Sequence, residues 1–243
     1  MPTRYAQWKI ASMYSSSGPI HEDSNDYTNG TNEDRFGYPV IKEDAQSISL
    51  TFKYYLPTTP ASSVLLTYTV TGDGRVWIKE EYEPVEGLTP MPEFGMMFKF
   101  SPEFDKVTYY GNGPKENYVD RNRGAKLGIF ESKVSDMMEK YIRPQETGNR
   151  TGVRWAKVTD NRGRGLLFEA PDTMNFSALA YTPEELEAAE HPYELPRVTK
   201  TVVRCSLMQM GIAGDDSWGS KTHDEFLLPN DQKLIFVMSF RGI

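Results

Sequence analysis

Runs of alternating polar and apolar residues, closed off by glycine- and asparagine-rich turns, recur along most of this chain and dictate a β architecture. The segment SISLTFKYYL (47–56) puts Ile48, Leu50, Phe52 and Tyr54 on one face, which is the two-residue period of a strand with one side turned to a core. VLLTYTV and RVWIKEEYEP flank TGDG, so Gly72-Asp73-Gly74 predicts a hairpin turn. Further β-rich runs follow in FGMMFKFS, KVTYYG, TGVRWAKVTD, GLLFEA, RVTKTVVRCSLMQMGI and KLIFVMSF. The turn signals between the runs are EDSNDYTNGTNED, GNGPKEN, TDNRGRG and LPNDQK. No glycine-rich loop leads into a long amphipathic helix, which argues against a doubly wound α/β fold.

One helix is clearly marked, at YTPEELEAAEHPYEL. Thr182 is an N-cap residue, Pro183 suits the first helical position, and Glu185 completes a capping box. Pro192 is expected to stop the helix, leaving His191 at its C-terminus, where an imidazolium meets the dipole favourably. A shorter helical piece is predicted within KVSDMMEKYI. No repeat, linker or low-complexity run divides the chain. The expectation is therefore a single all-β domain over residues 1–243, with two packed antiparallel sheets and one short surface helix.

Composition narrows the function classes. Apolar residues make up 38% and charged residues 25%, an ordinary globular balance that excludes a disordered chain. The formal net charge of −7 argues against a nucleic-acid surface, which needs a clustered basic excess. No run approaches the length of a membrane span, and MPTRYAQWKI lacks a signal-peptide core, so neither a membrane nor a secretory address is expected and the cytoplasm is. The single cysteine, Cys205, cannot form an internal disulfide, and its apolar surroundings predict a buried structural thiol. His21, His191 and His223 are scattered without a second ligand at metal-binding spacing. Asp215-Asp216 lacks the alternate acids and distal Glu of an EF-hand loop. No cofactor is expected in this chain.

No Ser/His/Asp arrangement, phosphate loop or dinucleotide fingerprint appears. The most suggestive acids are Glu116 in GNGPKENYVDR, Glu146 in RPQETGNR, and the Asp215-Asp216 pair. Glu116 and Glu146, among Asn, Gln and Arg, read as hydrogen-bond networks that hold loops still. Trp77 and Trp155 fall in strand alternation and are expected in the core. Trp218 differs, since it sits in the glycine-flanked turn GIAGDDSWGS, and turns run over the surface. An aromatic ring on a groove rim can pack against the C–H face of a sugar.

Several of these segments, in order, resemble a known family. YYGNGPKENYVDRNRGAKLGIFES, YIRPQETGNRTGVRWAKVTD, MNFSALAYTPEELEAAEHPYEL and MGIAGDDSWGS, preceded by LTPMPEFGMMFKF, are similar to the C-terminal domain of the large bacterial β-galactosidases of glycoside hydrolase family 2. The likeness covers residues 88 to 243, and residues 1 to 87 match more loosely. It implies a β-supersandwich of the galactose mutarotase-like kind. It also implies that the acid/base and nucleophile glutamates, held about 5 Å apart in a retaining enzyme, lie on a TIM barrel outside this chain. The family's magnesium and sodium sites would lie in those other domains too.

By the same resemblance, Trp218 is the counterpart of the Trp in the family's GGDDSW motif, which stacks on the sugar in the shallow, acceptor part of the active site. Gly214, Asp215 and Asp216 would shape its turn, and Ala213 departs from the commonest form. The implied role is positioning and product partition on terminal β-galactosides such as lactose, since an indole transfers no proton. The implied partners are a TIM-barrel catalytic domain or large subunit and the β-galactoside or its leaving sugar. The chain would be a C-terminal domain or a separate small subunit, inactive as an isolated chain. The competing readings are a free-standing aldose-1-epimerase-like enzyme and a carbohydrate-binding module on the same fold.

Overall fold

The structure, a computed structural model, describes residues 39–56, 58–216 and 218–243. Trp8, His21 and the turn signal at 22–34 lie outside the described residues. The architecture is antiparallel β with two short α-helices among the described residues. These residues divide into two compact units. One comprises residues 39–92 with Leu228–Ser239, and the other Glu93–Leu227 with Phe240–Ile243.

The first unit is a meander. β1 (Val40–Glu43), β2 (Ser47–Leu56), β3 (Ser62–Thr71) and β4 (Val76–Tyr82) pair antiparallel in sequence order. The predicted hairpin joins β3 to β4. Thr71 N–H donates to the Arg75 carbonyl at 3.0 Å, and Asp73 Oδ1 accepts from the Thr71 hydroxyl at 2.6 Å. Gly74 takes a φ of 78°, a conformation that favours glycine. Ile78, Tyr82, Leu66, Phe236 and Met238 are buried in this unit. The apolar face of β2 is only half covered, with Ile48 46% exposed. Trp77, expected in the core, is half-buried, with the Arg75 guanidinium 5.6 Å from its ring centre.

The second unit carries β5 (Glu93–Phe100), β6 (Lys106–Gly113), β7 (Lys126–Lys133), β8 (Arg150–Thr159), β9 (Gly165–Leu179) and β10 (Thr201–Gln209). Antiparallel pairing links β7, β6, β8, β9, β10 and β5 in that order. β10 is paired on both sides and buried on both faces for six residues, which erases the alternation of a half-exposed strand. Cys205, on β10, is a buried thiol. Beside it, a Cβ on Gly95 would lie 2.3 Å from the Cys205 carbonyl, so only glycine permits this approach of β5. Trp155 is half-buried rather than in the core, with Lys157 Nζ 5.5 Å from its ring centre.

The helix α1 (Val134–Met137) is a single turn within the predicted piece. The second, α2 (Pro183–Ala188), starts as its sequence dictates. The Thr182 hydroxyl accepts from Glu185 N–H, and the Glu185 carboxylate accepts from Thr182 N–H. It ends earlier than expected, because the Glu194 carboxylate captures the N–H groups of Glu190 and His191 at 2.8 and 3.2 Å. Those amides thus have partners outside the helix. His191 is therefore not at the helix end. It opens the 3₁₀ turn Pro192–Glu194 and stacks on Tyr193 at 5.1 Å. No described helix is long and apolar enough to cross a membrane.

Candidate functional site

Residues 210–216 and 218–222 follow β10 without regular structure, yet hydrogen bonds pin them at several points. At the base, Gly211 N–H donates to the Phe226 carbonyl at 2.9 Å, and the Thr222 hydroxyl donates to the Gly211 carbonyl at 2.8 Å. Asp120 reaches in from the β6–β7 connection and accepts the Ala213 N–H on Oδ2 at 2.8 Å. A Cβ on Gly211 would lie 2.4 Å from that oxygen, so any other residue there would displace the Asp120 carboxylate. The chain then turns sharply, with φ of 57° at Ala213 and 108° at Gly214. For Ala213 this left-handed conformation costs roughly 1 kcal/mol.

Asp216 organises the tip. Its carboxylate accepts from Trp218 N–H at 2.8 Å, Ser220 N–H at 3.2 Å and the Ser220 hydroxyl at 2.7 Å. The Ser220 hydroxyl, followed by these amides, holds the Asp216 carboxyl below the usual carboxylate range. Asp215 is engaged differently, by a side chain rather than by an amide of the described residues. Its Oδ2 lies 2.5 Å from His223 Nε2. That hydrogen bond, together with the aspartate's charge, raises the imidazole pKa. Trp218 stands between these two braces with 93% of its surface exposed.

The other acids singled out from the sequence lie elsewhere in the unit and are engaged by their neighbours. Glu116 Oε1 accepts from Arg121 and the Tyr141 hydroxyl. Its Oε2 accepts from the Thr147 hydroxyl at 2.8 Å and Gly148 N–H at 2.7 Å. Glu146 takes the Tyr118 hydroxyl at 3.1 Å and Arg204 Nη1 at 2.8 Å. Arg204 also grips Glu93, with Nη2 at 2.7 Å from Oε2. Burial pushes the Tyr118 phenol far above its ordinary range. Burial opposes the Arg204 charge, but Glu146 and Glu93 overcome it and hold the guanidinium protonated. These groups brace loops.

The arrangement presents an open aromatic face and, among the described residues, pairs His223 with Asp215 rather than leaving either free. His223 and Asp215 are bonded to each other, whereas an epimerase needs its acid and base on either side of a sugar carbon. Among the described residues no group of three or more His, Cys, Asp or Glu is placed to hold a metal ion. Sequence reasoning missed Asp120 and the pairing of His223. NYVDR and THDEF carry no local signal of either contact, one of which joins residues 93 positions apart and the other residues eight apart.

Comparison with known proteins agrees with the resemblance read from the sequence. The family model described as β-galactosidase small chain matches residues 2–240. A β-galactosidase of Priestia megaterium is 37% identical over 221 residues, covering 91% of this chain and 21% of that protein. A β-galactosidase of Halalkalibacterium halodurans is 39% identical, covering 84% of this chain and 20% of its own length. One of Streptococcus thermophilus is 35% identical, with coverages of 93% and 20%. Among solved structures, the chain is similar to a galactose mutarotase related enzyme of Lactobacillus acidophilus, at a TM-score of 0.39 and 9% identity, over 87% of this chain and 73% of that one. The chain thus spans about a fifth of the length of the curated relatives it matches, and it belongs to the β-galactosidase small-chain family.

Proposed function

We propose that this chain is the sugar-facing, non-catalytic part of a retaining β-galactosidase, with Trp218 forming the shallow subsite for the galactoside or its leaving sugar. The observation that carries this reading is the 93% exposure of Trp218 on a turn whose backbone is tied down on both sides. An indole that large, so exposed among the described residues, is available to a ligand in an active site completed by another domain. The acid/base and nucleophile glutamates, and the family's magnesium and sodium, belong to that other domain or subunit in this reading. This chain's contribution is to hold the apolar face of a sugar in register with chemistry performed elsewhere.

The reading is tested by a lactose-analogue hydrolysis assay on this chain alone and on its mixture with a matching barrel-containing chain. The expected result is activity only in the mixture. Trp218→Ala should raise KM roughly tenfold, equivalent to about 1.4 kcal/mol of lost binding, with kcat much less affected. Turnover by the chain alone would overturn the reading. An unchanged KM and an unchanged ratio of transfer to hydrolysis in Trp218→Ala would remove Trp218 from it.

A further inference from the structure

We infer that Asp120 and the Asp215–His223 pair are positioning residues for Trp218, together fixing where the indole sits and so how tightly the sugar is held. The inference rests on the reading of Trp218 as a sugar platform. At 93% exposure the ring draws almost no support from packing against the described residues. Its position is inherited from the backbone that carries it, and that backbone is left-handed at Ala213, Gly214 and Gly219.

Two contacts brace this turn, one from 93 residues away and one from eight. On the ascending side, Asp120 Oδ2 holds the Ala213 amide at 2.8 Å, just before the left-handed residues. The same carboxylate packs so closely on Gly211 that a Cβ there would push it aside. Its other oxygen, Oδ1, is buried without a hydrogen-bond partner among the described residues. A group with half of its bonding capacity unused is a poor choice for stability alone. On the other side, Asp215 is tied to His223. His223 opens the 3₁₀ turn Asp224–Phe226, and the Phe226 carbonyl returns to Gly211 N–H at 2.9 Å. The path from Gly211 through Asp215 and His223 to Phe226 is therefore a closed ring of contacts, with Asp120 fastened at its root. Loss of either brace lets the tip pivot while Asp216 keeps its local geometry.

The experiment uses the whole enzyme, or the reconstituted complex, carrying Asp120→Ala, Asp120→Asn, His223→Ala and Trp218→Ala. Asp120→Ala and His223→Ala should each raise KM about fivefold with kcat within about twofold, the pattern of lost uniform binding. Asp120→Asn keeps an acceptor for the Ala213 amide and should restore the parent KM. In a Trp218→Ala background neither brace variant should raise KM further, because both act through the indole. Thermal melting identifies any variant that fails to fold, and exposed His223 provides the test that folding cannot obscure. If Trp218→Ala raises KM while Asp120→Ala and His223→Ala do not, the bracing role is wrong. It is equally wrong if the brace variants raise KM by the same factor without Trp218. If Trp218→Ala itself leaves KM unchanged, the platform reading fails instead.

Discussion

The segment around Glu116 and Glu146 and the turn at 211–220 look alike in the sequence, each an acid set among glycines and small polar residues. In the folded chain they are opposites. Glu116 has both oxygens engaged by four donors, and its side chain is only 4% exposed. In the turn, Asp215 and His223 keep 59% and 60% of their side chains in water, and the largest residue faces solvent. Saturation and burial separate a polar cluster that maintains the fold from one that displays a side chain. Composition alone separates neither.

The largest expected effect tests the buried side of this contrast. Arg204→Met would leave Glu93 and Glu146 without their common cation. Breaking a buried pair costs about 3–5 kcal/mol. Because Glu93 and Glu146 keep 26% and 27% of their side chains exposed, a loss near the lower end, roughly 3 kcal/mol, is expected. Urea denaturation of the purified chain measures it. The same measurement on Trp218→Ala should change by less than about 0.5 kcal/mol, as for a surface position. Similar losses in the two variants would erase the distinction between the two regions.

Much of the fold is legible in the sequence because its signals are local. The TGDG turn, the Thr182 and Glu185 capping box and the alternating runs each act within a few residues. What is illegible depends on distance. The end of α2 is set by Glu194, six residues beyond the helix, which bonds amides the helix would otherwise keep. Arg204 lies in an apolar run and finds Glu146 and Glu93 at separations of 58 and 111 residues. The exposure of Trp218 follows from its turn. The brace from Asp120, 93 residues from Ala213, does not, since no local pattern marks an aspartate as the acceptor for a remote amide. Trp77 and Trp155 lie less deep than their alternation implies, because a two-residue period does not distinguish a core face from one covered by Arg75 or Lys157.

A smaller effect sharpens the comparison at the backbone. Ala213 is the described non-glycine residue with a positive φ, and Ala213→Gly would remove that strain. The relief of about 1 kcal/mol is offset by the larger entropy of glycine in the unfolded chain, about 0.4–1 kcal/mol. A net stabilisation below about 1 kcal/mol is expected, readable as a small upward shift in melting temperature. A destabilised variant would mean that the Ala213 methyl contributes packing that outweighs its backbone cost.

The smallest effect concerns protons, and it too should fall on one region only. His223 has its pKa raised above its ordinary 6.5, first by the hydrogen bond to Asp215 and then by that group's charge, with Glu225 and Asp120 adding to it. A group whose pKa is higher in the folded state contributes its full stabilisation below the unfolded value and loses it as pH rises through the folded one. The brace at the turn is therefore complete below about pH 6.5 and slackens above that as His223 deprotonates. In the whole enzyme, KM should drift upward across this window, and the drift should vanish in His223→Gln and in Trp218→Ala. Tyr118 and Arg204 remain protonated throughout it, because burial in one case and paired carboxylates in the other hold them so. The buried network therefore gives no matching change. NMR titration of His223 in Asp215→Asn should return its pKa toward 6.5, and an unmoved titration would show that the imidazole is not held by Asp215.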